Sequence, residues 1–420
     1  MHDQRTHGRD HEDPAPESHS VDRRAFLMST GAACLGCLGC FGAGGTGALG
    51  APAPPASRRR SQDPSQQAPL RPSGSSTGAP DFTPIREIDY YDRLPEQKIQ
   101  CHVCPLDCTL KPGETCFCQT RTNVDGRLYS RAYNNPCILR VDEVEKLPLN
   151  HYRPGTRTLT IGVGGCNLRC LYCQNWQMSQ QLPDKLKTFN MTPDEVIAAA
   201  RKQKIDTIAF SYTEPVAFFE YALDIAKKAK KADMRVVMAT AAFVQTEPLI
   251  ELARYVDAFT VSLKGYDEAF YHRVTGVQMA PVLEAIKTIK QKTDAWLEIV
   301  NLIVPRYNDD PDTIEKMVDW LHTDVGDDTP IHFARFVPMY QLSNLPKTPV
   351  QALEKACELA RNAGMKHVYT SNIAPHDDTN TRCAKCGSRL IERLGFKVLS
   401  NSVKRGKCPT CRTQLPGVWS

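Results

Sequence analysis

The sequence predicts an α/β protein built around a full or partial (β/α) barrel. Between residues 158 and 373, short β-branched runs alternate with amphipathic helical stretches, and at least six such units follow one another. Alternation of this kind gives parallel strands joined by right-handed helical crossovers. Function in such barrels sits at the carboxyl ends of the strands. The loop after each strand is therefore where chemistry is expected.

The predicted strands are short runs of β-branched and apolar residues: Leu159–Val163, Thr207–Tyr212, Arg235–Thr240, Ala258–Leu263, Leu297–Val304, His332–Val337 and Val368–Ser371. The predicted helices carry apolar residues at helical spacing: Thr192–Lys204, Pro215–Lys231, Pro248–Tyr255, Ala280–Gln291, Asp312–His322 and Pro349–Asn362. The first helix has a well-marked start, because Thr192 is a good capping residue and is followed by Pro193 and two acids.

The first 84 residues are predicted to lie outside the barrel. Residues 1–53 look like a twin-arginine export signal, because Arg23-Arg24 precede an uncharged, glycine-rich stretch. A disordered leader is the alternative. Residues 54–84 are rich in Pro, Ser and Gln and are predicted to be a disordered linker. A working signal implies the periplasm or cell envelope, and otherwise the chain is cytoplasmic. No membrane span is expected in the mature protein.

Residues 85–150 form a predicted cysteine-rich region before the barrel. Its cysteines occur at metal-ligand spacing over residues 101–118, a segment named here the knuckle. The predicted ligands are Cys101, Cys104, Cys108 and Cys118. Four thiolates suit zinc or an iron–sulfur cluster, and the sequence does not separate the two.

A second cysteine motif follows the first predicted strand. The cluster loop, residues 164–173, carries Cys166, Cys170 and Cys173 with the spacing C-x3-C-x2-C, directly after Gly164-Gly165. Three thiolates are one fewer than a fully ligated [4Fe–4S] cluster needs. The remaining iron is then open to a further ligand, as in catalytic metal sites.

The last module is a zinc-ribbon-like segment over residues 379–420, named here the ribbon. Two C-x2-C pairs supply its predicted ligands, Cys383, Cys386, Cys408 and Cys411. Zinc is the expected metal and iron the rival. The first interpretation of the ribbon is a purely structural module. Residues 382–420 contain nine Lys or Arg against one Glu, so an acidic partner protein is the alternative. Aromatic residues are too sparse there to favour nucleic acid.

The cluster loop identifies a family resemblance. C-x3-C-x2-C with an aromatic residue, Tyr172, before the last cysteine resembles the signature of the radical S-adenosylmethionine (SAM) superfamily. Further segments narrow the resemblance to the radical SAM member of the AmmeMemoRadiSam set, related to pyruvate formate-lyase activating enzymes. These segments are Cys101–Cys108, Pro148–Leu149, Cys173–Trp176, Tyr212–Pro215 and Ser262–Gly265. The resemblance implies a partial barrel of the radical SAM type over residues 151–378.

The resemblance also implies the chemistry. The three cysteines would hold a [4Fe–4S] cluster whose open iron binds SAM, and a reduced cluster would cleave SAM to a 5′-deoxyadenosyl radical. The electron would come from a flavodoxin- or ferredoxin-class donor. The radical would abstract hydrogen from a substrate, a partner protein in the case of glycyl-radical activation. The enzyme class implied is an oxidoreductase or lyase.

Residue roles follow from the same resemblance. Tyr172 is expected near the adenine, and Glu214 near the SAM amino group. Ser262 and Lys264 end the fourth strand, where Lys264 would meet the carboxylate, and Asn301 is a candidate for the ribose. The chain departs from the family at two places. Tyr212-Thr213 stand where activating enzymes carry two glycines, and Cys116 replaces a glycine, which makes Cys116 the alternative to Cys118 as a ligand.

Two other functions stay open from the sequence. One is a non-catalytic electron-transfer or metal-scaffold protein with a degenerate barrel. The other is a radical SAM enzyme that modifies RNA. Glu214 and the glycines before Cys166 favour the enzyme over the scaffold, because a scaffold needs neither.

Overall fold

The computed structural model of the chain describes residues 82–83 and 85–420. The predicted export signal and nearly all of the predicted linker lie outside the described residues. None of the helices in the described part is both long and apolar enough to cross a membrane.

The core is an eight-stranded sheet in which each strand neighbours the next along the chain. Its strands are β7 (Pro136–Glu143), β8 (Arg157–Val163), β9 (Thr207–Phe210), β10 (Arg235–Thr240), β11 (Ala258–Ser262), β12 (Trp296–Ile303), β13 (Ile331–Arg335) and β14 (Val368–Ser371). Strands β8 to β14 pair in parallel, and β7 runs antiparallel to β8 at one edge. The predicted parallel α/β core is confirmed.

Helices follow the strands as the alternation predicts. They are α1 (Trp176–Ser179), α2 (Pro193–Lys202), α3 (Phe219–Lys231), α4 (Thr246–Ala253), α5 (Glu268–Phe270), α6 (Ala280–Lys292), α7 (Pro311–Trp320) and α8 (Val350–Asn362). Thr192 caps α2 through its side chain and forms a capping box with Glu195, as its sequence indicates. Helix α4 begins two residues earlier than predicted, and residues 215–218 form a 3₁₀ turn before α3.

Two small antiparallel sheets precede the core and surround the knuckle. One contains β1 (Arg86–Glu87), β5 (Arg121–Val124) and β6 (Arg127–Ser130), and the other contains β2 (Tyr91–Arg93), β3 (Ile99–Cys101) and β4 (Thr109–Leu110). The ribbon contains β15 (Thr381–Arg382), β16 (Arg389–Leu394) and β17 (Lys397–Asn401). Strands β16 and β17 form the hairpin expected between the two cysteine pairs.

The face of the sheet that lines the barrel carries small residues, which leave room inside it. Ala209, Val237 and Ala258 occupy adjacent strands at one level of this face. Residues 144–152 pack against these three side chains through Val144, Leu147, Leu149 and Tyr152. This segment therefore fills the amino-terminal end of the barrel, opposite the strand ends where function is expected.

A buried polar network secures that filled end. The carboxylate of Glu298 accepts hydrogen bonds from the backbone N–H groups of Asn150 and His151 and from the indole of Trp296. His332 Nε2 lies 2.7 Å from the same carboxylate. A buried charge is costly unless it is paired and hydrogen-bonded. All four contacts satisfy the carboxylate, and two of them fix the backbone of residues 150–151.

The ribbon attaches to the same end of the barrel. Arg393, which is buried, donates to the carbonyl oxygen of Asn150 at 2.9 Å, and its Nε lies 3.6 Å from Glu145. Val418 N donates to the carbonyl of His151 at 2.8 Å. The ribbon is thus joined to the core by buried polar contacts rather than tethered by a loop alone.

Candidate functional site

The cluster loop follows β8 at the carboxyl end of the sheet. Gly165 adopts φ +89°, and a Cβ atom there would lie 2.6 Å from the carbonyl oxygen of Cys118 and 2.4 Å from Thr120 Cγ2. A Cβ on Gly164 would lie 2.6 Å from Leu186 Cδ1. Gly165 is therefore required by its backbone conformation and by close packing, whereas a side chain at Gly164 would displace Leu186.

The three cysteines of the loop face a protected space. Cys170 is buried, and Cys166 and Cys173 are half-buried. Burial raises the pKa of the Cys166 thiol, and the nearby charge of Glu214 raises it further. Burial also raises the pKa of Cys170, while the charge of Lys264 acts in the opposite direction. Burial thus disfavours the thiolate forms of Cys166 and Cys170, and a positive metal centre would stabilise them.

Glu214 lies at the end of β9 and is held rigidly. Its Oε1 accepts from Thr240 Oγ1 at 2.6 Å and from the backbone N–H of Val216, and its Oε2 accepts from the backbone N–H of Ala241 at 2.7 Å. Burial raises the pKa of this carboxyl, and these donors counter that effect. Glu214 thus presents fixed carboxylate oxygens beside Cys166.

Tyr212 and Thr213 directly precede Glu214, and they keep the conformation of this loop without glycine. Tyr212 has φ +70°, the left-handed conformation that glycine adopts most easily. Its hydroxyl donates to Asp142 at 2.8 Å and accepts from Lys146 at 2.7 Å. These contacts stabilise the strained backbone that the family's two glycines would allow freely.

Lys264 and Tyr172 lie on the other side of the cysteines. The Lys264 ammonium sits 5.9 Å from the centre of the Tyr172 ring, and within the described chain it forms no ion pair shorter than 4.0 Å. Tyr172 is buried, and its hydroxyl has no hydrogen-bond partner among the described residues. A cation and a buried phenol therefore lie near Cys170, whose thiol is also within reach of the charge of Glu214.

Ser262 and Asn301, the two remaining predicted SAM contacts, lie on opposite faces of the sheet. Ser262 is half-buried at the end of β11, on the strand face that lines the barrel. Asn301 lies on the opposite face of β12, with Ile299 and Ile303, and its Nδ2 donates to the carbonyl of Leu263 at 2.8 Å. The structure brings Ser262 toward the predicted site and directs the Asn301 amide toward the helices.

Arg169 is an important residue that the sequence did not single out. Its guanidinium donates to the carbonyls of Cys166 and Leu168, both at 2.8 Å, and to the carbonyl of Phe117. It also stacks on the Phe117 ring, with its central carbon 3.8 Å from the ring centre. Arg169 therefore ties the cluster loop to the knuckle. The only signal was its position within the cysteine motif.

The knuckle brings its five cysteines together. The N–H of Cys101 donates to the carbonyl oxygen of Cys108 at 3.0 Å, and all five cysteines belong to, or pack against, the same buried cluster of side chains. Four of these side chains are buried, and Cys108 is half-buried. A buried ion pair between Arg121 and Glu220, at 3.2 Å, anchors β5, the strand that follows the knuckle, to α3.

The ribbon cysteines have a tighter arrangement. The sulfurs of Cys383 and Cys411 are 3.6 Å apart, and those of Cys386 and Cys408 are 3.7 Å apart. All four lie within 4.8 Å of one another, and no other set of three His, Cys, Asp or Glu in the described chain is gathered as closely. The predicted grouping of these four residues is confirmed.

A cavity of about 390 Å³ lies between the strand ends and the ribbon. Leu302, Arg335 and Thr370 line it from β12, β13 and β14, Tyr172 from the cluster loop and Phe396 from the ribbon hairpin. Arg335 donates through Nε to the carbonyl of Thr348, which positions its guanidinium at the wall. The cavity therefore joins the cluster loop to the ribbon.

Comparisons with known proteins identify a matching family and several similar proteins. The Radical SAM superfamily matches residues 160–321. A radical SAM methyltransferase from Sphaerobacter thermophilus aligns with 57% of this chain and 71% of its own, at 15% identity and a TM-score of 0.42. The pyruvate formate-lyase 1-activating enzyme of Escherichia coli is 27% identical over 169 residues, 39% of this chain and 68% of that protein.

A longer match covers most of the chain. An uncharacterized protein of Methanocaldococcus jannaschii is 40% identical over 333 residues, which cover 79% of this chain and 99% of the relative. The cysteine motif after β8, the parallel strand–helix core and these matches lead to one conclusion: the chain belongs to the radical SAM superfamily.

Proposed function

We propose that the chain is a radical SAM enzyme with a [4Fe–4S] cluster on Cys166, Cys170 and Cys173. Superfamily membership implies both the cluster and SAM. The loop fits a cluster better than a single ion. Its sulfurs are not gathered within 4.8 Å as those of the ribbon are, and in a cluster an iron and its sulfides separate the thiolates.

The arrangement of charge around the cysteines carries this proposal. SAM has an ammonium and a carboxylate, and the loop is flanked by Glu214 on the Cys166 side and by Lys264 on the Cys170 side. Glu214 would hold the ammonium and Lys264 the carboxylate, each through a charge-assisted hydrogen bond. The unpartnered Tyr172 hydroxyl would meet the adenosyl group, with Ser262 nearby. Asn301 would act on the ribose only indirectly, through the backbone at Leu263.

When bound, the cluster and SAM supply an electron and a 5′-deoxyadenosyl radical that removes a hydrogen atom from the substrate. The chain's own residues position the reactants and exclude water. Trp176 stacks on Tyr340 with ring centres 5.1 Å apart, next to the cluster loop. Shielding of this kind protects a radical from side reactions.

The test is anaerobic reconstitution with iron and sulfide, reduction with dithionite, and measurement of 5′-deoxyadenosine formed from SAM. We expect Glu214→Gln to weaken SAM binding about 10- to 100-fold, because a charge-assisted hydrogen bond contributes about 1.5–3 kcal/mol. The exposed Glu247→Gln is the matched control and should behave as wild type. Wild-type protein that forms no 5′-deoxyadenosine would refute the enzyme, and full affinity in Glu214→Gln would refute the role of that residue.

A polypeptide is the proposed substrate. Three exposed apolar side chains, Leu394, Phe396 and Leu399, lie on the ribbon hairpin, and Phe396 also lines the cavity that reaches Tyr172. The ribbon is strongly basic. An apolar, basic surface at the mouth of a cavity favours an acidic protein partner. Activation of a protein is also what the printed name of the Escherichia coli relative describes.

Isotope transfer can identify the class of substrate. Extract from host cells grown in deuterated medium is separated into macromolecules and small molecules, and each fraction is added to the reduced enzyme with SAM. We expect deuterium to enter 5′-deoxyadenosine only from the macromolecular fraction, and protease to abolish the transfer. Transfer that survives protease but not ribonuclease would establish RNA instead. Transfer from the small-molecule fraction would exclude a macromolecular substrate.

The other cysteine sites and the reductant complete the proposal. The ribbon would hold zinc, because a tetrahedral Zn–S distance of about 2.3 Å places sulfurs about 3.8 Å apart, close to the 3.6 and 3.7 Å observed. The knuckle would hold a second metal centre on Cys101, Cys104, Cys108 and either Cys118 or Cys116. A flavodoxin- or ferredoxin-class protein would supply low-potential electrons.

A further inference from the structure

We propose that the knuckle carries an iron–sulfur cluster that passes electrons to the centre on Cys166, Cys170 and Cys173. The inference rests on the proposed function, because the receiving centre is the cluster that would cleave SAM. Its basis is the direct contact between the two cysteine-bearing segments and the spacing of the knuckle thiols.

The spacing favours a cluster over a zinc ion in the knuckle. The chain offers an internal comparison, since the four ribbon sulfurs all lie within 4.8 Å of one another and no three knuckle sulfurs do. A single zinc ion needs the tighter arrangement. A cluster places iron and sulfide between its thiolates and needs the wider one.

The two segments meet through a backbone hydrogen bond between cysteines. The N–H of Cys166 donates to the carbonyl oxygen of Cys118 at 3.1 Å. A short path of bonds therefore runs from the Cys118 sulfur through its backbone, across this hydrogen bond, and into Cys166. Gly165 permits the approach, because any side chain there would collide with the same carbonyl.

Arg169 reinforces this contact from one side. It donates to the carbonyls of both Cys166 and Phe117, and its charge is felt by Cys166 and Cys118 together. A positive group between two anionic clusters reduces their mutual repulsion. A purely structural metal in the knuckle needs neither a shared hydrogen bond between ligand residues nor a shared cation.

The outer side of the knuckle is where electrons would enter. Cys108 is the least buried of its five cysteines, and it adjoins His102 and Asp107, whose ring nitrogen and carboxylate lie 3.2 Å apart near the surface. In the proposed step, a flavodoxin- or ferredoxin-class donor reduces the knuckle cluster by one electron. That cluster is reoxidised as the second cluster is reduced, and no bond or proton changes place.

Spectroscopy of the reconstituted full chain tests the proposal without relying on activity. We expect about eight irons per chain, and magnetic broadening between two reduced clusters in the electron paramagnetic resonance spectrum. Replacing Cys101, Cys104 and Cys108 together by Ser leaves only two knuckle thiols, too few to hold a cluster, and should lower the iron content to about four and leave an unbroadened signal. Cys357→Ala, which removes a buried cysteine of α8 outside all three sites, is the control and should match wild type. If the triple serine variant is insoluble, the iron content and the spectral broadening of the wild-type chain decide.

Electron delivery provides the second readout. We expect the triple serine variant to lose at least tenfold more of its flavodoxin-driven SAM cleavage than of its dithionite-driven cleavage, because dithionite is small enough to bypass the relay. Zinc in the knuckle, eight irons in the triple serine variant, an unbroadened wild-type spectrum or equal losses with both reductants would overturn the relay. Absence of dithionite-driven cleavage in wild type would instead refute the proposed function, and the spectral coupling would still decide the relay.

Discussion

Gly165 is the residue at which the cluster loop and the knuckle approach most closely. Its φ of +89° already disfavours any other residue, and the atoms facing its missing side chain include a backbone carbonyl that cannot rotate away. That carbonyl is itself held by the N–H of Cys166. The position therefore combines backbone strain with a lack of space.

We expect Gly165→Ala to reduce the free energy of unfolding by about 2–5 kcal/mol. A left-handed backbone costs an alanine about 1–2 kcal/mol, and overpacking adds about 1–3 kcal/mol. Gly395→Ala is the control, because Gly395 has φ +60° and a Cβ atom added there would meet nothing within 4 Å, so only the first cost applies. Denaturant unfolding of equally metal-loaded proteins measures both. Equal losses would contradict the close contact.

The ribbon is the element whose metal site is most sharply defined by its geometry. Its two C-x2-C turns bring four sulfurs to distances that suit a single tetrahedral ion. Its small core consists of few residues, chiefly Leu390, Ile391 and Leu415. A core of this size needs a metal for stability.

We expect the purified chain to contain one ribbon zinc that Co²⁺ can replace, with the thiolate charge-transfer bands of a tetrahedral four-sulfur site. Cys386→Ser should remove that metal and make residues 383–412 sensitive to protease, because the ribbon core is too small to stay folded alone. Cys357→Ala should change neither property. Rubredoxin-like iron absorption from wild type would assign the site to iron instead.

Elements that depend on local sequence were predictable, and those that depend on distant partners were not. The β-branched runs at Arg235–Thr240 and Val368–Ser371 match β10 and β14 end to end. Strand β7 was missed, because its charged residues mask an edge strand that pairs only with β8. Likewise, the spacing identified the cluster cysteines, whereas the hydrogen bond from Cys166 to Cys118 depends on folding that no local pattern encodes.

At the scale of the whole molecule, the ribbon and barrel meet around a buried histidine. His151 Nδ1 lies 2.7 Å from the carbonyl oxygen of Pro416 and its Nε2 lies 2.6 Å from the Tyr369 hydroxyl, so both nitrogens are engaged when the ring is neutral. Burial lowers the pKa of His151 to about 3 and that of the adjacent His367 to about 4. Protonation of His151 and His367 is therefore unfavourable in the folded chain.

We expect stability to fall as pH decreases from about 6.5, because the unfolded chain then binds protons that the folded chain excludes. His151 and His367 should each lower the free energy of unfolding by about 2 kcal/mol at pH 5. Urea unfolding at pH 7 and pH 5, followed by fluorescence, measures the loss, since Trp296 and Trp419 both lie beside His151. His151→Gln should weaken the pH dependence and the exposed His272→Gln should not. A wild-type stability independent of pH over this range would contradict the prediction.

The contact between His151 and Pro416 spans 265 residues. A ribosome that adds about 5–20 residues each second needs about 13–53 s to produce the second partner after the first. The newly synthesised barrel therefore spends tens of seconds without the contact between His151 and Pro416. Under the proposed function, this is the interval in which the cysteines of the knuckle and the cluster loop would receive their clusters, before the C-terminal segment closes the amino-terminal end of the barrel.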